Sequence, residues 1–186
     1  MKRGTVDVAG IIRKYYEPGS LAYNLLIGHS RAVAQKALVI AGRLMQMKPD
    51  MVFIEEAVML HDIGIFGTNV PDIGCYGDKP YVCHGYLGRE LLEREGLPIH
   101  ALVCERHVGV GISIADIDKN SLPIPRRDML PVTLEERIIC FSDKFFSKKK
   151  DALGQEKPLE EVRRGIGKYG PEKMERFEEM LSEFGE

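Results

Sequence analysis

The sequence predicts an all-α fold, a single-domain helical bundle over residues 1 to 186, and three observations predict it. Apolar residues recur at spacings of three and four along nearly the whole chain, which collects them on one face of a helix. Helix starts and stops punctuate that pattern, with Ser20 and Thr133 at entrances and Pro, Gly or both at exits. With 186 residues, 44% of them hydrophobic, the chain is long enough for one sizeable core, since a domain of this size hides roughly 70% of its unfolded surface.

The elements follow in order. Residues 5 to 16 form a short helix ended by Glu17-Pro18-Gly19, and a longer one runs from about Ser20 to Met47, stopped by Pro49. A third covers about 50 to 63 and is released by Gly64. From Phe66 to Pro80 the composition turns to Gly, Pro, Asn and Asp, a long loop of the kind that is often functional. Helices follow at about 81 to 95 and 98 to 107. An irregular stretch with three prolines occupies about 109 to 131, and Thr133 then opens a helix to Lys148. The polar run Lys148-Lys149-Lys150 reads as a surface turn, and two amphipathic helices, about 158 to 168 and 171 to 184, complete the chain. No internal repeat or low-complexity tract interrupts it.

Bulk properties exclude several function classes. A net charge of -2 is not the basic footprint of a protein that works through many phosphate contacts, so duplex nucleic acid is not an expected partner and any phosphate is handled locally. The basic N-terminus breaks its apolar run at Arg13 and Lys14, too early for a signal-peptide core, and no run approaches the roughly 20 apolar residues of a membrane span. Cys75, Cys83, Cys104 and Cys140 form no CxxC pair, which suits reduced thiols. Cytoplasmic location without a membrane partner is the expectation.

The sharpest chemical feature is His61-Asp62-Ile63-Gly64 at the end of an apolar helix. His61 follows Ala57 and Val58, and Asp62 follows Val58 and Met59, by three or four positions, so both project toward the apolar side. His29, between Leu25, Leu26, Ala32 and Val33, and Asp143, near Ile139, Cys140 and Phe146, lie on similar stripes. Burying an isolated carboxylate costs several kcal/mol or more, and a metal ion shared with neutral imidazoles removes that cost. His84 near the start of one helix and His107 at the end of the next fit the same pattern. His100, at a helix entrance after Pro98, reads as surface. Cys104 and Cys140 read as small apolar packing, Gly109-Val110-Gly111 is too short for a dinucleotide fingerprint, and Tyr76, Tyr81 and Tyr86 either stack on a base or cover the loop.

These residues resemble the HD-domain metal-dependent phosphohydrolases, whose signature is a His, a His-Asp pair and a distant Asp on separate helices. His29, His61-Asp62 and Asp143 match it in order, and His61-Asp62-Ile63-Gly64 is similar to the HDIG subgroup. HSRAV at 29 to 33 and the steps Cys83-His84-Gly85, Arg106-His107 and Ser142-Asp143-Lys144 extend the likeness over about 20 to 147. The resemblance implies an HD-type helical bundle with the metal site in its core. Members with two additional histidines, here His84 and His107, hold two ions, as in cyclic-nucleotide and cyclic-dinucleotide phosphodiesterases and bacterial diadenosine-tetraphosphate hydrolases. The chain lacks a Gly-Tyr-Pro after its His-Asp motif, a departure from the cyclic-dinucleotide enzymes, and its size and HG step make the diadenosine-tetraphosphate hydrolases the nearer comparison.

What the resemblance implies is hydrolysis of a phosphate ester or anhydride of a nucleotide or dinucleotide. Asp62 would bridge two ions roughly 3.5 to 4 Å apart, and a shared water would become the hydroxide nucleophile. Cations would then stabilise charge on the phosphoryl oxygens: Lys144 as a catalytic residue, and Arg106, Arg31 and Arg89 as substrate-binding residues. Imidazole and carboxylate ligands suit Fe, Mn, Co, Ni or Zn better than calcium. Two other classes compete: a non-catalytic nucleotide-sensing or partner-binding module with a structural metal, and a structural helical domain whose polar core residues pair among themselves. Turnover of a phosphoester probe separates the first from the hydrolase, and metal analysis separates the second.

Overall fold

The computed structural model describes residues 4 to 185. Nine α-helices lie among the described residues: α1 (Val8–Tyr15), α2 (Leu21–Arg43), α3 (Met51–Leu60), α4 (His84–Arg94), α5 (Pro98–Arg106), α6 (Ile114–Asn120), α7 (Leu134–Asp143), α8 (Leu159–Gly167) and α9 (Pro171–Phe184). The all-α expectation holds. None of these helices is long and apolar enough to cross a membrane.

Helix entrances follow the sequence closely. Ser20 Oγ accepts from Tyr23 N at 3.2 Å and starts α2. Thr133 and Glu136 form a reciprocal capping box at α7, which satisfies two of the orphan N–H groups of a first turn. Exits differ more. α2 stops at Arg43, and a 3-10 turn (Met45–Met47) carries the chain to Lys48, which takes a left-handed φ of 55° before Pro49. Proline disfavours helical backbone in the residue before it, so the predicted run to Met47 unwinds early.

α7 ends at Asp143, five residues before its predicted end. Phe145 and Phe146 make shorter i to i-3 bonds there, and the Lys157 ammonium takes the carbonyls of Lys144 and Phe146. The chain is thus free to leave the helix axis before Lys148.

Both irregular stretches contain more structure than expected. The loop at 66 to 80 holds two short antiparallel strands, β1 (Asn69–Val70) and β2 (Cys75–Tyr76), with Asn69 opposite Tyr76 and a left-handed Gly74 between them. The stretch at 109 to 131 contains α6. Its signal was present in the sequence as Ser113-x-x-Asp116, a capping box that the structure forms.

Packing divides the core into two large apolar clusters. One joins α2, α3, α7, α8 and α9 through residues such as Val33, Ala37, Ile54, Ile138, Phe141 and Phe177. The other joins α1, α2, the end of α3, α4 and α5 through Ile12, Leu26, Leu60, Leu91 and Cys104. Along α2 the change of cluster falls between Leu26 and Ala32, and in the last turn of α3 it falls between Val58 and Leu60. His29 stands within the first of these seams and His61 directly after the second. All four cysteines are buried and free, which agrees with the packing reading of Cys104 and Cys140.

Candidate metal centre

Six side chains from five helices converge at the seam. His29 comes from the middle of α2, His61 and Asp62 follow α3, His84 begins α4, His107 follows α5, and Asp143 ends α7. Each is buried, with His61 and Asp62 at 0% exposure. The turn carrying the His-Asp pair is pinned by Tyr16, whose hydroxyl donates to Ile63 O at 2.7 Å and accepts from Phe66 N at 3.1 Å.

The ligand atoms fall into two sets that share Asp62. His29, His61, Asp62 and Asp143 offer one atom each, all within 4.8 Å of one another, and Asp62, His84 and His107 do the same. Asp62 divides its two oxygens between them. Oδ2 lies 2.9 Å from His61 Nε2 and 3.2 Å from His29 Nε2, whereas Oδ1 lies 3.4 and 3.3 Å from Nε2 of His84 and His107. Asp143 Oδ1 closes the first set, 2.9 Å from His29 Nε2.

Backbone carbonyls orient three of the imidazoles. Nδ1 donates to Val58 O at 2.6 Å in His61, to Tyr81 O at 2.6 Å in His84 and to Cys104 O at 2.8 Å in His107. A carbonyl only accepts, so the hydrogen sits on Nδ1 and Nε2 faces the centre, the tautomer a metal ligand needs. His84 and His107 bring their Nε2 atoms within 3.1 Å of each other. Burial pushes His84 down to about 3 and lowers His107 as well, so both are neutral and their lone pairs face one another.

The remaining electrostatics also favour a cation. His61 Nε2 and both Asp62 oxygens are buried without a hydrogen bond of proper geometry, although charged and ring nitrogens stand close by. Burial alone would raise the Asp62 and Asp143 carboxyls, but His61 and Lys148 around Asp62, and Lys144 and Lys148 around Asp143, hold both well below the carboxylate range. Burial would lower His61, and Asp62 and Asp143 instead raise it to about 9. Facing lone pairs, orphaned carboxylate oxygens and a mixed imidazole and carboxylate donor set fit a divalent transition metal ion.

The other predicted residues are distributed unevenly. Lys144 sits at the centre, with Nζ 2.7 Å from Asp143 Oδ2 and donating to His107 O at 3.0 Å. Arg106 contacts both oxygens of Glu136 at 2.9 Å, Arg89 is held by Glu93 and Glu105, and Arg31 is exposed. None of the three arginines lines the cleft described below. His100 is not a surface residue: it is 1% exposed, edge-on to Phe53, with Nε2 3.2 Å from Glu56 Oε2. Its helix entrance is packed beneath α3, which a local reading of Pro98 does not reveal.

The surface-turn reading of 148 to 150 is also corrected. Lys149 and Lys150 are exposed, but the Lys148 side chain is only 13% exposed and its ammonium lies 2.6 Å from Asp62 Oδ2. Ser147 bridges to Leu153, whose side chain fills the space beside Gly28 on α2, and this fold-back carries Lys148 inward. Helical periodicity contains no trace of it.

A cleft of about 1110 Å³ opens from His84, His107 and Asp143. Its wall beyond the centre is mostly basic, with Lys119, Lys157, Arg164, Lys168 and Lys173 set against Asp116 and Glu161. Of the three tyrosines weighed above, Tyr81 lines it and Tyr76 and Tyr86 do not.

Comparison with known proteins is consistent with this site. The chain is 30% identical over 142 residues to a tRNA (cytidine(56)-2'-O)-methyltransferase of Thermoplasma volcanium, which covers 76% of this chain and 37% of the relative. It is 31% identical over 121 residues to an uncharacterised protein of Methanocaldococcus jannaschii, covering 63% and 64%. A second tRNA (cytidine(56)-2'-O)-methyltransferase, from Picrophilus torridus, is 30% identical over 128 residues, covering 68% and 33%. The chain therefore spans between a third and two thirds of the curated relatives it matches. No solved structure matches it. The HD domain profile matches residues 26–147, a stretch that contains all six converging residues, and the chain belongs to the HD domain family.

Proposed function

We propose that the chain is a metal-dependent phosphohydrolase acting on a phosphate ester or anhydride of a nucleotide or dinucleotide. The observation that carries this reading is the pair of ligand sets sharing Asp62, whose members His84, His107 and Asp143 line a mostly basic cleft. When bound there, a divalent ion supplies Lewis acidity and a hydroxide nucleophile near neutral pH. His29, His61, Asp62 and Asp143 would hold an ion at one position, and Asp62, His84 and His107 at the other. The carbonyls of Val58, Tyr81 and Cys104 hold the imidazoles in place, so the geometry is set before substrate arrives. Lys119, Arg164 and Lys168 along the wall attract and orient phosphate groups, and the cleft volume of about 1110 Å³ suits a substrate larger than a single phosphate.

The finer comparison with diadenosine-tetraphosphate hydrolases rests on the six-residue ligand set, and none of the three relatives' names concerns such a substrate. A second reading comes from those names. The stretch shared with the two tRNA methyltransferases is 37% and 33% of their length, so an HD unit that binds nucleotides or a partner without turnover is the alternative. A panel of mononucleotides, dinucleoside polyphosphates, cyclic nucleotides and a ribonucleotide 2'- or 3'-phosphate, presented to protein loaded in turn with Mn, Fe, Co, Ni and Zn, separates the two. Metal-dependent phosphate or nucleotide release supports the hydrolase. Tight nucleotide binding with no release across all metals supports the alternative.

A further inference from the structure

We propose that Lys148 is a ligand for the substrate's phosphate, its ammonium standing at the Asp62 oxygen that a metal ion would take. This rests on the phosphohydrolase reading above and adds a residue to it.

Two lysines touch the two carboxylates, and they touch different kinds of oxygen. Lys144 Nζ contacts Asp143 Oδ2, the oxygen turned away from the ligand set, while Asp143 Oδ1 faces His29 and His61. It also donates to His107 O. Lys144 can therefore remain where it is when the set closes on an ion, holding two ligand-bearing segments together.

Lys148 is placed otherwise. Its ammonium contacts Asp62 Oδ2, the same oxygen that lies 2.9 and 3.2 Å from the imidazoles of His61 and His29. With an ion held by those imidazoles, this oxygen would be shared with it and the ammonium would be repelled at that distance. Lys148 would then have to move. Its neighbours leave one direction open, because the centre is walled by buried histidines and Lys148 itself lines the cleft beside Tyr81, Lys144 and Lys157. A four-carbon stem lets the ammonium swing outward by several ångströms while its backbone stays fixed. It would then stand on the cleft side of the ligand set, where a phosphoryl oxygen of the substrate would lie.

The experiment uses the full chain and three variants, Lys148→Met, Lys148→Gln and Lys148→Arg, with thermal melts to confirm folding. Metal-stripped protein is titrated with MnCl2, and Mn-loaded protein is titrated with inorganic phosphate. We expect K148M to bind Mn²⁺ more tightly than the wild type, since a competing internal cation is gone. Phosphate affinity should fall about ten- to a hundredfold, the loss of one charge-assisted hydrogen bond, and K148R should recover most of it. If K148M does not fold, K148Q is judged by the same criteria. Weaker Mn²⁺ binding in the folded variants would make Lys148 a structural support of the centre and overturn the proposal, as would unchanged phosphate affinity. A wild-type protein that hydrolyses nothing on the nucleotide panel would end the hydrolase reading, while the two titrations would still decide the place of Lys148.

Discussion

Gly64 lies so close beneath α4 that a Cβ on it would fall on the carbonyl of His84 and the amide of Gly88. The last letter of the His61-Asp62-Ile63-Gly64 motif therefore serves another element, by letting the turn after Asp62 seat against the first turn of α4. Gly64→Ala must push these segments apart and should cost about 1 to 3 kcal/mol, the usual penalty of overpacking. Because His84 is at the contact, metal content should fall toward that of the first set alone. Urea denaturation and elemental analysis of the purified variant test both parts; a variant as stable and as fully loaded as the wild type would show that the turn adjusts freely.

The role of Gly64 marks the limit of what the sequence makes legible. Its φ is not among the left-handed ones, so its service is a tertiary approach that no local turn rule contains. The six converging residues were readable because buried imidazoles and carboxylates on apolar stripes are anomalies at helical spacing. Helix entrances were readable for a similar reason, since Ser20 and Thr133 satisfy N–H groups within a few residues of themselves. Lys148 and His100 were misread because their burial depends on contacts with Asp62 and Glu56, which are 86 and 44 residues away in the chain. Arg106 is a candidate by its place beside His107, and the commitments of Arg106 to Glu136 and of Arg89 to Glu105 are likewise long-range.

Asp62 is the one residue common to both ligand sets, whereas His84 and His107 belong to one. Asp62→Ala should remove bound transition metal altogether, and His84→Ala or His107→Ala should reduce it toward one ion per chain with the fold retained. Elemental analysis alongside circular dichroism is the measurement. Full occupancy in Asp62→Ala would take Asp62 out of the ligand set, and unchanged content in both histidine variants would mean a single ion.

Asp116 joins α6 to α9 across the far wall of the cleft, accepting from Ser113 N and Oγ at 2.7 Å each and pairing with Lys173. Partial burial would raise its carboxyl, but Lys173 and Ser113 outweigh that and hold it below the usual range. A carboxyl depressed in the folded state adds stability that is present above its unfolded value of about 3.9 and is lost as pH falls through its lower folded value. Asp116→Asn should therefore cost roughly 1 to 2 kcal/mol at pH 7, and the gap from the wild type should narrow below about pH 3. Urea melts at pH 7 and in strong acid decide this. A constant gap would assign the effect to capping of α6 and not to charge.

Lys144 is adjacent to Asp143 in sequence and was expected to meet the substrate. Its side chain lines the cleft, and its observed partners, Asp143 Oδ2 and His107 O, point to a positioning role toward the two segments that carry them. Lys144→Met keeps the stem and removes both contacts, leaving Asp143 Oδ2 without its ammonium and His107 O with the Cys140 thiol at 3.6 Å. Outer-sphere partners of this kind are worth about ten- to a hundredfold in metal affinity, so the variant should need correspondingly more metal to reach half-saturation. Saturating metal should then restore most of the turnover, with little change in the Michaelis constant. The opposite pattern, an unchanged metal titration with turnover lowered at every metal concentration, would return Lys144 to the phosphate, because a charge needed only in the transition state lowers kcat without weakening the ground state.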